Sequence, residues 1–340
     1  MVKHHTLRWL VVAATLLLSG AVSLPAAAAS PYQGKTLTII VPYGPGGGYD
    51  TWARLVAPHL KQYLGAAEVK VENHPGGGGL VGTNAVYSAK PDGLTIGDTN
   101  AAGDVFAEIA KAPGVHFETA KFNWLARPDD DPHIIAVHPS SPYKTFNDIL
   151  ALKGGKTVLR CLATGRGSSD YNSAVIAMNA FHVPFHMVAA FKGSHAEKAT
   201  FIAGGGDTIS VSASDIAHLG KKARVVVLTA SEPFHKLPGI PTVVQAAQQY
   251  KLPAKTIEVL KIMSSVMDMG HAFFAPPGVP ADRLAALRTA FAKTFKNKDF
   301  LAKAGKAGLY VGYEAPAMLE HSSANAFKHI KELEPFLKTS

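Results

Sequence analysis

Short runs of β-branched residues alternate with helical segments along most of the chain. Strands that alternate with helices are typical of α/β folds, in which a connecting helix returns the chain to a neighbouring parallel strand. The alternation therefore predicts an α/β fold with largely parallel sheets. The predicted strands are TLTIIV, EVKVE, LTIGDT, HIIAV, KTVLRCL, FHMVAA, DTISVS and RVVVLT.

Residues 1–29 have the composition of an export signal. Lys3 and Arg8 precede an apolar stretch, and an alanine cluster ends the segment. A basic start, an apolar middle and a small-residue exit are the parts of a cleavable signal peptide. We expect cleavage after Ala27 or Ala29. No cysteine stands at the predicted new N-terminus to carry a lipid, so we expect an unanchored protein of the periplasm.

The formal net charge of the chain is +9, and it falls to +7 when Lys3 and Arg8 are removed with the signal segment. The remaining basic residues are scattered, which indicates a solvated surface or a general attraction for anionic ligands. Basic residues do not interleave with aromatic ones, so no nucleic-acid partner is predicted. The single cysteine, Cys161, allows no intrachain disulfide and is expected to pack as a small apolar side chain.

The stretch LARPDDDPHIIAVHPSSPY combines prolines, a charge cluster and one strand, which indicates a crossing between domains. About 310 residues after cleavage are enough for two domains, each with its own core. We expect residues 30–135 and 228–340 to form the first domain and residues 136–227 the second. Closure of a hinge near residues 133–138 and 225–231 would bring the two domains together.

Four glycine-rich loops each follow a predicted strand and precede a predicted helix. They are VPYGPGGGYD, ENHPGGGGLVGTNAV, ATGRGSSDYNSAVIAM and FKGSHAEKA. Glycine lets backbone amides approach a ligand closely, and the following helix adds its positive N-terminal end. Ligands of open α/β sheets bind beyond the carboxyl ends of the strands. The four loops together therefore predict a single site for an anion.

Neither of the first two loops predicts a nucleotide cofactor. Gly77, Gly79 and Gly82 satisfy the dinucleotide spacing G-x-G-x-x-G, but His74 and Pro75 separate these glycines from the preceding strand. The first loop has tyrosine and aspartate where a phosphate-binding P-loop requires lysine and a hydroxyl residue. We expect no cofactor.

Catalytic and metal-binding motifs are absent from the sequence. It contains no G-x-S-x-G, no H-E-x-x-H and no C-x-x-C, and its fifteen histidines are dispersed. Asp129, Asp130 and Asp131 could hold a cation, but three adjacent carboxylates before a proline are interpreted as a solvated linker. No catalytic residue and no metal site are therefore predicted.

Seven segments occur in an order that resembles a known family. They are VPYGPGGGYD, VENHPGGGG, AKPDGLTIG, GRGSSDY, FKGS, LPGIPTV and FFAPPGVP. The set resembles the Bug family, the periplasmic substrate-binding receptors of tripartite tricarboxylate transporters, over about residues 35 to 335. The resemblance implies a two-domain periplasmic-binding-protein fold of the class II type, with a hinge and a ligand in the interdomain cleft. It also implies a receptor, not an enzyme, that delivers a small organic carboxylate to a membrane permease.

The resemblance also implies which loops contact the ligand. In the family, the loops matching residues 43–50 and 75–79 give main-chain amides and ordered water to one carboxylate, and those matching 165–170 and 191–194 close over the rest. We therefore expect ligand contacts from Tyr43, Gly46, Gly47, Tyr49, Asp50, Gly77, Gly78, Gly165, Arg166, Ser168, Ser169, Phe191, Ser194 and Asp207.

Backbone amides of Gly46, Gly47 and Gly78 are expected to replace the water shell of a carboxylate without burying a permanent positive charge. Arg166, the cation inside a glycine loop, is the candidate for a direct carboxylate contact.

The three serines of the second domain, Ser168, Ser169 and Ser194, are expected to donate hydroxyl hydrogen bonds. Asp50 and Asp170 are expected to cap helices, because they would repel an anion.

Asp207 is expected either to tie the hinge or to accept a bond from a ligand hydroxyl or amine. Tyr43 and Tyr49 stand where the family often has phenylalanine and a small hydroxyl residue, and Phe191 stands where it usually has tyrosine. More aromatic surface favours a ligand with an aromatic or apolar body, and a dicarboxylate is expected. Two other functions stay open at this point: a secreted enzyme acting on an anionic substrate, and a ligand sensor that feeds a membrane histidine kinase.

Overall fold

The computed structural model describes residues 30–129, 131–166, 168–189, 191 and 193–337. The predicted signal peptide lies outside the described residues. Two β-sheets form the frame of the protein, and helices cover them. Within the part of the chain that the structure describes, no helix is both long enough and apolar enough to cross a membrane.

The first sheet has six strands and the second has five. In spatial order, the first sheet consists of β11 (Val311–Glu314), β4 (Asn123–Asp129), β10 (His271–Ala275), β3 (Thr95–Asn100), β1 (Thr36–Val41) and β2 (Glu68–Asn73). The second sheet consists of β7 (Phe185–Val188), β6 (Leu159–Leu162), β8 (Thr208–Ser212), β5 (His133–Val137) and β9 (Arg224–Leu228).

All eight predicted strands are present, so the α/β prediction is confirmed, but the prediction of largely parallel sheets is wrong. Strand β1 pairs in parallel with β2 and β3, and β6 pairs in parallel with β7 and β8. The pairs of β10 with β3 and β4, of β11 with β4, and of β5 with β8 and β9 are antiparallel. The chain crosses between the sheets twice: it enters the second sheet at β5 and returns to the first sheet at β10. These two entering strands run antiparallel to their neighbours.

Thirteen α-helices are described. They are α1 (Gly48–Leu64), α2 (Leu80–Tyr87), α3 (Ala101–Ile109), α4 (Phe146–Leu150), α5 (Ser169–Ala180), α6 (Ser194–Ile202), α7 (Asp215–Leu219), α8 (Val243–Gln249), α9 (Ala254–Met267), α10 (Ala281–Thr294), α11 (Lys298–Lys306), α12 (Pro316–Lys328) and α13 (Ile330–Leu333).

Helix α1 shows how the local sequence sets the elements around the first loop. Trp52, Val56 and Leu60 recur on one face and are buried against the first sheet. The helix ends at Gly65, whose φ of 65° is left-handed, a conformation that glycine adopts readily at helix ends. The expected N-cap, Asp50, is a correction: the cap is Gly47, and Asp50 lies in the first turn of the helix.

The largest hydrophobic core joins the two sheets. It contains Phe274 of the first sheet and Ile135 of the second, together with Leu337 near the C-terminal end. Cys161 is 1% exposed in this core, which confirms its expected packing, and burial raises its thiol pKa to about 12. The domain boundaries expected from the sequence stay a prediction, because this shared core marks no single dividing residue.

Two helical glycines allow a matched test of the packing between α2 and the first loop. A Cβ on Gly82 would lie 2.6 Å from Cα of Pro42, whereas a Cβ on Gly305 would meet nothing within 4 Å. We expect Gly82→Ala to lower the free energy of unfolding by about 1 to 3 kcal/mol, because two backbones must separate. Gly305→Ala should raise it by about 0.5 to 1 kcal/mol through helix propensity. Urea denaturation measures both; equal effects would contradict this packing.

Candidate functional site

The first loop joins β1 to α1 and contributes two aromatic rings, those of Tyr43 and Tyr49. The Tyr43 hydroxyl donates a hydrogen bond to the Gly78 carbonyl at 3.1 Å, which ties the first loop to the second. The Tyr43 ring centroid is 4.5 Å from that of Tyr49, which is in turn 3.6 Å from the ring of His271. The two tyrosines thus form a continuous aromatic wall that ends on β10.

The amide of Gly46 is not free for a ligand in this structure, contrary to the expectation. It donates to Asp50 Oδ2 at 2.9 Å, and the same carboxylate receives Arg54 Nε at 2.9 Å and Asn73 Nδ2 at 3.0 Å. Burial alone would raise the pKa of Asp50, but these hydrogen bonds lower it overall. Of the two first-loop glycines whose amides were expected to bind a carboxylate, Gly47, the N-cap of α1, is thus the one that remains.

The second loop depends on glycine backbone geometry. Residues 76–79 have φ values of 145°, 61°, 73° and 112°, a region that side chains rarely adopt. Gly77 and Gly78 begin a 3-10 turn (Gly77–Gly79) that runs into α2, and the first amides of a helical turn have no intrahelical acceptor. A Cβ on Gly79 would lie 2.9 Å from the Tyr43 hydroxyl. The loop therefore presents bare amides beside the aromatic wall.

In the third loop, Ser168 is the N-cap of α5 and its hydroxyl is already engaged. It accepts from the amide of Tyr171 and donates to the Gly165 carbonyl at 2.5 Å. The expected cap, Asp170, is a correction: it accepts from the amide of Thr164 at 2.8 Å and from the Thr164 hydroxyl. These bonds fold the third loop back on the start of its helix.

The fourth loop leads into α6, which begins at Ser194 after the N-cap Gly193. Phe191 is half-buried and packs on the core of the second sheet. His195 Nε2 lies 3.4 Å from the Gly46 carbonyl. This contact joins the fourth loop to the first, from the opposite sheet.

Contacts therefore link all four loops. A Cβ on Gly165 would lie 3.8 Å from Cα of Gly78, so the third loop rests against the second. Ser169 Oγ accepts from Asn100 Nδ2 of the first sheet at 3.0 Å and lies 2.9 Å from His133 Nε2 of the second. The N-terminal ends of α1, α2, α5 and α6 consequently surround one region between the two sheets.

Several residues of this region were missed by the sequence analysis, namely Asp98, Asn100, His133 and His271. Each lies at the last residues of β3 or at the first residue of a strand that enters a sheet. That position on the sheet edge is the signal that could have found them, once β10 had been recognised as a strand.

The interpretation of the aspartate run as a solvated linker is wrong for the two described aspartates. Asp129 is 2% exposed, ends β4 and receives His271 Nδ1 at 2.6 Å. Asp131 receives both the amide and the hydroxyl of Ser214. Asp130 lies outside the described residues. Among the residues that the structure describes, no group of three His, Cys, Asp or Glu side chains is arranged to hold a metal ion.

Asp98 is a fully buried acid near the aromatic wall, and neither of its oxygens has a hydrogen-bond partner among the described residues. Burial raises its pKa well above the ordinary range, and the neighbouring charge of Asp129 raises it further. The raised pKa favours the neutral form of Asp98, which carries no negative charge towards the convergent helix ends.

One predicted contact residue, Asp207, lies apart from this arrangement, and Arg166 has no ligand contact that the structure tests. Asp207 precedes β8 and accepts from the amide and the guanidinium of Arg160, with an ion-pair distance of 3.2 Å. The structure thus does not bring Asp207 to the four loops. Arg166 is exposed at the tip of the third loop, so its contact with a ligand stays a prediction.

The two sheets, the double crossing and the loops that meet between the sheets define the class of two-lobed solute-binding proteins. A family profile described as tripartite tricarboxylate transporter family receptor, TctC, matches residues 52–315. The chain therefore belongs to this family of transporter receptors, whose members are solute-binding receptors and not enzymes. The expected Bug-type receptor is confirmed.

Known relatives and solved structures agree with this assignment. A UPF0065 protein from the tcbD-tcbE intergenic region of Pseudomonas sp. is 27% identical over 297 residues, which is 85% of this chain and 82% of the relative. MatC from Rhodopseudomonas palustris, solved with bound malate, has a TM-score of 0.71 at 23% identity and covers 89% of this chain and 99% of its own. The periplasmic binding protein BugD has a TM-score of 0.66 at 20% identity, with 90% and 96% covered. These structures confirm the fold.

Glu197, at the start of α6, allows a test of the acids around the loops. Its side chain is 1% exposed, and burial, followed by the charge of Asp170, raises its pKa well above the ordinary range. A carboxyl group whose pKa is raised by folding stabilises the fold below about pH 4.3. Above that pH, its contribution to the free energy of unfolding falls as the pH rises. We expect Glu197→Gln to raise the melting temperature relative to the wild type by more at pH 8 than at pH 5.

The control is Glu118→Gln on the exposed surface, which should leave the pH profile of the melting temperature unchanged. A Glu197→Gln profile parallel to that of the wild type would contradict the burial of a neutral acid at this position.

Proposed function

We propose that this protein is a periplasmic receptor that captures a small organic dicarboxylate between its two sheets. The observation that carries the proposal is the convergence of four helix N-termini, linked through the contacts of Tyr43 with Gly78, Gly165 with Gly78, and His195 with Gly46. Such ends offer amide donors and partial positive charge to an anion.

One carboxylate of the ligand is placed at the amides of Gly47, Gly77 and Gly78. These donors replace the water shell of the anion without a permanent positive charge, and the glycines leave room for close approach. The proposal does not use Asp50 as a direct contact, because its carboxylate already accepts hydrogen bonds from its own loop and from Arg54.

The second carboxylate is placed at the loops of the opposite sheet, with Arg166 and Ser194 as donors. Tyr49 and Phe191 would flank the carbon body of the ligand, which favours an apolar or aromatic spacer between the two carboxylates. Structural neighbours support a dicarboxylate: MatC was solved with malate, and another Rhodopseudomonas palustris protein, with a TM-score of 0.70, was solved with adipate.

The family description supports delivery of the ligand to a tripartite tricarboxylate-type permease. We infer export by cleavage of residues 1–29, and closure about the expected hinge at residues 133–138 and 225–231. Output to a membrane histidine kinase has no support from the relatives, so it is not part of the proposal.

The test is thermal unfolding of residues 30–340 with a panel of aliphatic and aromatic mono- and dicarboxylates. A ligand present at a hundred times its dissociation constant adds about 2.7 kcal/mol to the free energy of unfolding. We expect one dicarboxylate class to raise the melting temperature and to be recovered unchanged. Stabilisation by phosphate esters alone, or conversion of a stabilising carboxylate, would refute the proposal.

A pair of arginine variants tests the assignment of the second carboxylate. Arg166→Gln should weaken binding of the stabilising dicarboxylate about tenfold, because one charge-assisted contact is lost. Arg224→Gln, also exposed and in the second sheet, is the matched control and should bind like the wild type. Calorimetric titration of both variants measures this; equal affinities would remove Arg166 from the site.

A further inference from the structure

Lysines collect on one surface beside the first sheet, although the basic residues are scattered along the sequence. This surface, which we call the lysine face, is formed by the end of α10, the turn after it and α11. Residues 293–306 contain five lysines and one acid, so they carry a net charge of +4. The five lysines are all exposed; they are Lys293, Lys296, Lys298, Lys303 and Lys306.

The single acid of the lysine face is already paired. Asp299 Oδ2 lies 2.8 Å from Lys303 Nζ and 3.7 Å from His59 Nε2. The hydrogen bond from Lys303 is the main cause that lowers the pKa of Asp299. Lys298 and Lys306 have no carboxylate within ion-pair distance among the residues that the structure describes. The lysine face therefore offers positive charge that its own surroundings do not neutralise.

Helix α11 directs part of this charge straight outward. Phe300 and Ala304, four residues apart, are the buried residues of the helix, so the opposite side faces the solvent. Lys298, Ala302 and Lys306 follow one another on that side at the same spacing of four, and all three are exposed. The two ammonium groups thus stand on either side of a small residue at the centre of the lysine face.

An apolar side chain lies beside these lysines. Leu301 is 39% exposed, although it is a large aliphatic residue. Gly305 follows it one turn later, and a Cβ there would meet nothing within 4 Å. Lysine side chains can lay their carbon stems along such a surface and carry their charge beyond it. A partner with negative charges above an apolar layer would complement both the lysines and the leucine.

The lysine face lies at the far end of α1 from the glycine loops. Tyr63, near the end of α1, accepts a hydrogen bond from Asn297 Nδ2 at 2.8 Å, and its ring centroid lies 6.0 Å from Lys293 Nζ. The first loop is at the other end of this helix, whose 17 residues span about 25 Å. The lysine face is therefore separate from the anion site proposed above.

A membrane surface combines the two properties that the lysine face would complement. Anionic phospholipids hold their phosphate groups above the acyl chains, and a helix face with lysines around an exposed apolar residue binds such a surface. The chain belongs to a family of receptors for membrane transporters, and such a receptor works beside a lipid surface.

We propose that the lysine face binds an anionic phospholipid surface, with Lys298 and Lys306 at the phosphate groups and Leu301 at the boundary of the acyl chains. The contact is mainly electrostatic, so salt weakens it. It concentrates the protein at the membrane whether or not a ligand is bound between the sheets.

The first experiment sediments residues 30–340 with vesicles of phosphatidylcholine alone and with vesicles of phosphatidylcholine mixed with phosphatidylglycerol. The expected result is binding to the mixed vesicles at low ionic strength, release in high salt, and no binding to the neutral vesicles. Absence of binding to the mixed vesicles at low ionic strength, or equal binding to both kinds, would overturn the proposal. No carboxylate is needed, so the result does not depend on the ligand site.

Matched variants locate the contact. Lys298→Gln combined with Lys306→Gln should weaken vesicle binding more than about tenfold, because each lysine near an anionic surface contributes about fivefold. The control combines Lys221→Gln with Lys222→Gln in the turn after α7, where both lysines are exposed. It changes the net charge by the same amount and should bind like the wild type. Equal affinities of the two double variants would overturn the assignment to the lysine face.

Leu301→Gln tests the apolar part of the contact. It keeps the charge and should weaken binding by less than the loss of Lys298 and Lys306, because only the apolar contact is removed. Wild-type affinity of Leu301→Gln would contradict its placement at the acyl chains. All of these side chains are exposed, so the variants should fold, and their melting temperatures check this. Salt-sensitive binding to polyglutamate without binding to the mixed vesicles would assign the lysine face to an acidic protein and overturn the proposal.

Discussion

The geometry of the whole site depends on glycine backbones that approach each other closely across the space between the two sheets. Gly165 of one half lies against Gly78 of the other, so that a Cβ at Gly165 would be in van der Waals contact with Cα of Gly78. The positive φ values of residues 76–79 serve the same contact, because they turn the second loop towards the first and third. Glycine at these positions thus acts on packing between the halves as well as on the exposure of amides.

The hydrogen bonds of Ser169 give a defined direction to this contact between the two halves. Asn100 reaches the serine from the first sheet and His133 from the second. All three are substantially withdrawn from water, where an unpaired polar atom costs about 1 to 3 kcal/mol. A separation of the halves would break the Asn100 bond and leave these groups to be hydrated. The hydrogen bond thus links the relative position of the sheets to the state of the loops that we propose as the ligand site.

Electrostatics near the loops are governed by burial more than by the number of charges. Burial raises the pKa of Asp98 and of Glu197, which favours their neutral forms, and the carboxylate of Asp50 already accepts hydrogen bonds from Gly46, Arg54 and Asn73. The acids nearest the helix ends therefore oppose an anion less than their formal charges suggest.

The sequence predicted every strand with a continuous β-branched run, and it predicted the glycine loops because glycine and proline mark turns. It did not predict β4, β10 or β11, and without β4 and the short aromatic strand β10 (HAFFA) the positions of Asp129 and His271 could not be derived. Asp50 and Asp170 were misplaced by a few residues, because glycine and serine compete with aspartate for the cap position. The contact of Asp207 with Arg160 could not be predicted, because the two residues are distant in sequence and only the fold brings them together.

The position of β10 has a consequence for how the chain folds. It lies between β3 and β4 in the first sheet, yet it follows them by well over a hundred residues, during which the chain builds the second sheet. The sheet that begins first therefore stays divided until a late segment arrives between its strands. Contacts so distant in sequence carry a large loop-closure entropy and slow the search for the native state. The second sheet, whose strands are contiguous in sequence, is the part that can form early.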